Sequence, residues 1–277
     1  MINKLLVPTD FSEQAMHALK IAVKLAKKYN ADIYLLHLLE MPELVVDGPG
    51  PQNTSELPEA LYFMKLAHKK FDKLLSSPLL KGIKVIEAAE FDGAFEGIMD
   101  YVEKYDIDLI VMGSHGVNGL EEFFIGSNTE KVVRYAKVPV LVIKEENPNF
   151  NINKLVFATD LQDDNVRAVQ KVHKLALSEG AMLHLVYINT PNNFRVSGEI
   201  YKDKKRFFEA LKMESPLFSV YNDMSIEAGI LNFAEAEKAD LIGIGTHGRK
   251  GLAHFFNGSV SQDLVNHAKR PVITFKI

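Results

Sequence analysis

The chain writes one fifteen-residue stretch twice, and no other feature constrains its fold as much. The first copy is Gly113-Ser-His-Gly-Val-Asn-Gly-Leu-Glu-Glu-Phe-Phe-Ile-Gly-Ser127 and the second is Gly245-Thr-His-Gly-Arg-Lys-Gly-Leu-Ala-His-Phe-Phe-Asn-Gly-Ser259. Nine of the fifteen positions are identical, and a tenth exchanges Ser for Thr. Each copy follows an apolar run, Asp108-Leu-Ile-Val-Met112 or Asp240-Leu-Ile-Gly-Ile244, and each precedes a stretch of helical pattern. A strand that runs through a glycine-rich loop into a helix start offers backbone amides to an anion.

The repeat extends along the whole chain. Leu5-Leu-Val-Pro-Thr-Asp10 matches Leu155-Val-Phe-Ala-Thr-Asp160 at an offset of 150. The glycine loops match at an offset of 132, as do Val138-Pro-Val-Leu-Val-Ile143 and Arg270-Pro-Val-Ile-Thr-Phe275. The chain is thus a tandem duplication, with 18 extra residues ahead of the first loop. They fall in segment 41–55, where Asp47-Gly-Pro-Gly-Pro51 has breaker chemistry; it reads as a lid over the first site or as a plain surface loop. Glu145-Glu-Asn-Pro-Asn-Phe-Asn151 reads as a linker, which divides the chain into domains 1–146 and 151–277.

Each copy alternates short apolar runs with helical periodicity. Ser12 caps a helix whose residues Ala15, Ala18, Leu19, Ala22, Leu25 and Ala26 recur at helical spacing, and Asn30 stops it. Strand-helix alternation predicts an α/β fold: an open parallel sheet in each copy, covered by helices on both faces. Ligands of such sheets collect at the carboxyl ends of the strands. Asp10 and Asp160 follow strand one there, and the glycine loops follow strand four.

Bulk properties exclude several classes. A net charge of -4 does not suit a general nucleic-acid binder. The absence of cysteine rules out disulfides, thiolate metal sites and a cysteine nucleophile. No apolar run has the length of a membrane span, and the first residues lead directly into a strand without a secretory-signal pattern. A cytoplasmic protein is expected, with no nucleic-acid or membrane partner.

The loop has the spacing Gly-x2-Gly-x9-Gly-Ser, filled by Gly113, Gly116, Gly126 and Ser127 and again by Gly245, Gly248, Gly258 and Ser259. Early glycines permit positive φ and close approach of a ligand. The last Gly-Ser opens a helix whose free amides and dipole favour phosphate. A second reading stands beside this one: Ser127-Asn-Thr-Glu130 and Ser259-Val-Ser-Gln262 have capping-box spacing, which needs no ligand.

With these motifs the chain resembles a tandem universal stress protein of the UspA-like superfamily. The resemblance covers both copies apart from the insertion and linker. It implies two five-stranded parallel sheets of order 3-2-1-4-5, related by a pseudo-twofold axis. It also implies two adenine-nucleotide sites of the ATP-binding type, with ATP or another adenine nucleotide as cofactor, alone or with Mg2+. By the same resemblance Thr9, Asp10, Thr159 and Asp160 would meet the nucleoside end, and Leu38 and Ile188 the base. Met112, Gly113, Gly116, Val117, Gly126, Ser127 and Asn128 would line the ribose and phosphates of the first site. Ile244, Gly245, Gly248, Arg249, Gly258, Ser259 and Val260 would do so in the second. Family members commonly carry Arg after the second glycine and Val after Gly-Ser. The second copy keeps both as Arg249 and Val260, whereas the first has Val117 and Asn128. Asp163 and Asp164 after the second strand one would repel phosphate or cap the following helix. The resemblance further implies pairing of the copies through their last strands, with Val140, Val142, Val272 and Thr274 near the seam, and a homodimer through the same strands.

Other signals are weaker. Gly243-Ile-Gly-Thr-His-Gly248 matches the dinucleotide fingerprint only formally, because no helix follows at once and Val111 replaces the first glycine in the other copy. No Gly-x4-Gly-Lys-Ser/Thr loop is present. His115 and His247 lack a matched carboxylate to orient them for catalysis. His37 and His184 read as strand residues of the core or sheet edge, and the histidines show no metal-ligand spacing. Phe123-Phe and Phe255-Phe would pin the loop to the core. The resulting expectation is a nucleotide-binding stress or regulatory protein with at most weak ATP hydrolysis. The alternatives are a nucleotide hydrolase or transferase and a nucleotide-free interaction module.

Overall fold

The computed structural model describes residues 2–39, 56–114, 126–213, 216–246 and 258–277. In the first half the elements are β1 (Lys4–Pro8), α1 (Glu13–Tyr29), β2 (Asp32–Leu39), α2 (Glu56–Leu75), β3 (Val85–Phe91), α3 (Ala94–Tyr105), β4 (Leu109–Gly113), α4 (Ser127–Tyr135) and β5 (Val140–Ile143). The second half runs β6 (Lys154–Ala158), α5 (Asn165–Glu179), β7 (Met182–Asn189), α6 (Ser197–Leu211), β8 (Leu217–Asn222), α7 (Ile226–Ala236), β9 (Leu241–Thr246), α8 (Gly258–His267) and β10 (Val272–Lys276). Two short 3-10 turns, Pro78–Leu80 and Pro191–Asn193, were not visible as periodicity; each starts at a proline, whose fixed φ suits a first turn.

The two expected five-stranded sheets form one sheet of ten strands, ordered β3-β2-β1-β4-β5-β10-β9-β6-β7-β8. Each half keeps the order 3-2-1-4-5 with parallel neighbours. The halves meet where β10 pairs antiparallel with β5, in the register Val272↔Val142, Ile273↔Leu141 and Thr274↔Val140. The pseudo-twofold seam therefore contains the four residues expected there. It also corrects the expected homodimer through the last strands: β5 lies between β4 and β10, so both of its hydrogen-bonding edges are taken within one chain.

Alternation along the strands fills both faces. Leu5, Val7, Leu109 and Val111 pack with α1, and with α2 through Phe71, on one face; Leu6, Ile110 and Met112 pack with Ile98 of α3 and Val132 of α4 on the other. A period of two with both faces buried is what a helix-covered parallel sheet requires. Helix α1 follows the sequence closely: Ser12 accepts from Ala15 N at 3.2 Å, and Asn30 ends the helix in the left-handed conformation at φ 53. Its small buried residues let the helix lie close to the sheet. At the other end of the strands, Asp108 accepts from Asn3 N and Lys4 N at 2.7 and 3.0 Å, and Asp240 accepts from Asn153 N and Lys154 N at 2.8 and 2.9 Å. The duplicated aspartates thereby tie strand four to strand one in each half.

A reciprocal pair of lysines crosses the seam. Lys144 Nζ donates to the carbonyl of Asn266 near the end of α8, and Lys276 Nζ donates to that of Arg134 near the end of α4 at 3.3 Å. Cations at helix C-termini satisfy carbonyls that have no partner within the helix. On the α1 side, Lys28 Nζ meets Glu179 Oε2 of α5 at 2.6 Å, and Lys20 pairs with Glu146. The segment read as a linker is held down, since Phe150 is buried and Lys24 bonds the carbonyl of Pro148.

Candidate functional site at the carboxyl ends of the strands

The strand-one turn is built the same way in both halves. Thr9 Oγ1 accepts from Phe11 N at 3.0 Å, and Asp10 Oδ1 accepts from Ser12 N at 2.9 Å. Thr159 Oγ1 accepts from Leu161 N at 3.1 Å, and Asp160 Oδ1 accepts from Gln162 N at 3.0 Å. These bonds hold the intervening residue in the left-handed region, with φ 65 at Phe11 and φ 63 at Leu161. Bulky residues adopt that conformation only where neighbours enforce it, and such strain concentrates at functional sites. The sequence reading missed this pair, because the left-handed region favours Gly, Asn or Asp, and Phe or Leu gives no such signal.

Strand two adds the next wall. His37 Nδ1 lies 2.7 Å from the carbonyl of Thr9, and its ring packs tilted against Phe11 with centroids 4.8 Å apart. Burial lowers its pKa, against the opposing pull of the Thr9 carbonyl. The matching residue in the second half is Tyr187, fully buried, whose hydroxyl interacts with Arg195. His184 has a different role: it is buried on β7 with Nε2 2.9 Å from Ser219 Oγ, as a core or edge residue would be.

The residues after His37 and Tyr187 each lean on a helix glycine. A Cβ on Gly97 of α3 would lie 2.6 Å from Leu38 Cδ2, and one on Gly229 of α7 would lie 2.5 Å from Ile188 Cγ2. Both glycines keep the 132-residue offset of the loops. That offset was the available signal for them, and it went unused.

The loop ends are well placed even though the loop centres are not described. Met112 and Gly113 end β4 buried. Gly126 N donates to the carbonyl of Ser114 at 2.7 Å and closes the loop at its base, and Thr129 Oγ1 donates to the carbonyl of Gly113 at 3.1 Å. Gly113 is needed for packing: a Cβ there would stand 2.9 Å from both C and O of Gln14 in α1. Gly245 is likewise crowded, by Ile277 at 2.3 Å and by Asn165 Oδ1 at 2.9 Å. The positive φ expected of the early glycines is not what these two provide, as neither is among the described residues with positive φ.

Two expected caps are corrected. Gly126 is the N-cap of α4, with extended backbone at φ -61 and ψ 141, and Ser127 is the first helical residue, exposed to solvent. Glu130 N bonds the carbonyl of Gly126 at 3.0 Å, and Ser127 lies one residue past the cap, so no capping box forms there. Helix α8 starts at Gly258, which puts Ser259 inside the helix as well. Asp164 holds the N-cap position of α5 without a side-chain cap bond, and Asp163 pairs with Arg206 at 3.6 Å.

Of the remaining expected site residues, Asn128 and Val260 lie partly buried in the first turns of α4 and α8, and Ile244 is buried in β9. Gly116, Val117, Gly248 and Arg249 lie outside the described residues, as do His115, His247, both Phe-Phe pairs and the 41–55 insertion. Among the described residues, no group of three His, Asp or Glu side chains is placed to hold a metal, and no helix is long and apolar enough to cross a membrane.

Comparison with known proteins gives consistent relatives. The model of the universal stress protein family matches residues 1–144 and 219–276. Universal stress protein MJ0577 of Methanocaldococcus jannaschii is 35% identical over 159 residues, which cover 53% of this chain and 98% of that protein. Universal stress protein Slr1230 of Synechocystis is 23% identical over 296 residues and matches 99% of this chain and 100% of its own length. The crystal structure of a universal stress protein from Archaeoglobus fulgidus superposes with a TM-score of 0.72 at 22% identity, covering 99% of this chain and 96% of that one. The family thus includes relatives matching about half of this chain and relatives matching nearly all of it.

Proposed function

This chain belongs to the universal stress protein family, and from that premise we propose that it binds an adenine nucleotide, ATP in the first instance, at the carboxyl edge of its sheet. Residues 1–146 and 151–277 act as two domains, each carrying the motif at its own sheet edge. The observation that carries the reading is that, in the first half, a strained turn follows β1 and a glycine-capped helix start follows the neighbouring strand β4. Asp10 is partly exposed beside Phe11, Leu38 is seated on Gly97, and Ser127 is exposed in the first turn of α4.

These residues suit a nucleotide chemically. A strand-end carboxylate accepts hydrogen bonds from ribose hydroxyls. Leu38 offers an apolar face to a base, in a notch that exists because residue 97 has no side chain. The first amides of a helix, with its dipole, favour phosphate oxygens, and Ser127 adds a hydroxyl donor. Thr9, Met112, Gly113, Gly126 and Asn128 complete the proposed first site. In the second half the corresponding residues are Thr159, Asp160, Ile188, Ile244, Gly245, Gly258, Ser259 and Val260. Gly116, Val117, Gly248 and Arg249 complete the motif by resemblance. Mg2+, where present, would arrive bound to the phosphates.

The test is direct. Purified protein is denatured and chromatographed for released nucleotide, and refilled protein is melted with and without ATP-Mg2+. Released adenine nucleotide, or a thermal midpoint that rises with ligand concentration, supports binding. Neither signal, at ligand concentrations up to millimolar, would reject it. Steady phosphate release abolished by Ser127→Ala or Ser259→Ala would move the reading to a hydrolase.

A further inference from the structure

Resting on the nucleotide reading, we infer that the two halves are unequal: the first site takes the nucleotide, and Asn165 holds the strand-end aspartate of the second away from any ligand. The loop letters alone favour the second half, which has Arg249 and Val260. The surroundings of the two aspartates point the other way.

Asp10 and Asp160 are equivalent at the 150-residue offset, as are residues 15 and 165. Position 15 is Ala in the first half, and it has no polar side-chain atom to offer Asp10. Position 165 is Asn. Its Nδ2 donates to Asp160 Oδ1 at 2.7 Å, on the same oxygen that accepts from Gln162 N at 3.0 Å. These two donors occupy both lone pairs of Oδ1, and Oδ2 is itself buried from solvent. Asp160 is 2% exposed and Asn165 0%, whereas Asp10 is partly exposed. Asn165 packs beside Gly245, where a Cβ would lie 2.9 Å from its Oδ1.

The end of strand two in the second half is held by its own hydrogen bonds. Arg195 N donates to Asn189 Oδ1 at 2.9 Å, Asn189 Nδ2 donates back to the carbonyl of Arg195 at 3.3 Å, and the Arg195 guanidinium bonds Asp203 at 2.6 Å. A ribose entering here would have to displace the buried Asn165–Asp160 bond. Losing a hydrogen bond to a charged group corresponds to binding about ten- to a hundred-fold weaker. Asn165 is therefore a specificity-determining residue, and the first half is the one selected.

The experiment is calorimetric titration of the full chain with ATP-Mg2+, in wild type, Asp10→Asn, Ala15→Asn and Asn165→Ala. The expected results are one strong equivalent per wild-type chain, at least ten-fold weaker binding in Asp10→Asn, and a second equivalent appearing in Asn165→Ala. Ala15→Asn transplants the second half's lock into the first and should weaken the single site while leaving Asp10 in place. Thermal melts without ligand verify that each variant folds; if Asp10→Asn does not, Ala15→Asn carries the test. Two equal equivalents in wild type, or one equivalent untouched by both first-half variants, would overturn the inequality and leave the nucleotide reading intact. No binding by any variant would remove that reading and this inference with it.

Discussion

Leu38 of β2 occupies the space that a side chain on Gly97 of α3 would need, with Leu38 Cδ2 only 2.6 Å from where the Cβ would sit. The obstructing atom is the far end of a flexible side chain, so a methyl there displaces Leu38 more than it unfolds the protein. Gly97→Ala is expected to change stability by less than about 1 kcal/mol, since helix propensity gained by replacing Gly offsets part of the crowding. Its nucleotide affinity should fall several-fold because the apolar seat moves. Unchanged affinity in a folded Gly97→Ala protein would detach Leu38 from the binding role proposed for it.

Gly113→Ala should behave in the opposite way. There the obstruction is the backbone of Gln14, 2.9 Å from the would-be Cβ, and α1 cannot yield without moving off the sheet. A loss of about 1–3 kcal/mol is expected from overpacking. Urea denaturation measures it, and a midpoint equal to wild type would show that α1 shifts freely.

The lysine exchange across the seam should be worth measuring in stability. Lys144 and Lys276 each cap the helix of the opposite half. Replacing either by Met keeps the apolar stem and removes the charge, at a cost of about 0.3–1 kcal/mol and up to about 2 for a partly buried geometry. Thermal melts of the two single variants and the double variant would report this. A double variant as stable as wild type would reduce the pair to surface decoration.

Histidines should make the fold sensitive to mild acid. Burial lowers the pKa of His37 and of His184, outweighing the Thr9 carbonyl at one and Glu237 at the other. A histidine depressed in the folded state takes up its proton in the unfolded chain first. Its stabilisation is thus complete above the unfolded value of about 6.5 and is lost as pH falls from there toward the folded value. Unfolding free energy measured at pH 7.5, 6.5 and 5.5 should fall on that side. His184→Gln keeps a polar group for Ser219 and should flatten the slope; an identical slope in the variant would assign the acid sensitivity to other groups.

Much of the fold was readable from letters because it rests on local periodicity. The Ala15–Ala26 pattern, Ser12 and Asn30 marked one helix from cap to stop, and the structure keeps all of them in those roles. Errors fell where a one-residue shift changes the chemistry. Ser127-x-x-Glu130 has capping-box spacing, yet Gly126 takes the cap position with extended backbone and no side-chain cap bond. The site was partly legible: the duplication exposed Asp10, Asp160 and both glycine loops. Phe11, Leu161, Gly97 and Asn165 escaped notice because their importance comes from contacts between elements far apart in sequence or from a turn that their residue types do not announce.

By itself the sequence determined the alternation of strands and helices and the duplication, since apolar spacing and self-similarity are local and countable; the strand order within each half was implied only by the family resemblance. Tertiary structure decided two other things. It joined the halves edge to edge through Val142 and Val272 into one sheet, and backbone hydrogen bonds between strands are available to almost any side chain. It also made the two aspartates unequal. Asp10 and Asp160 are the same letter after the same Thr, but the packing around Gly245 and the approach of Asn165 bury one carboxylate and leave the other partly exposed.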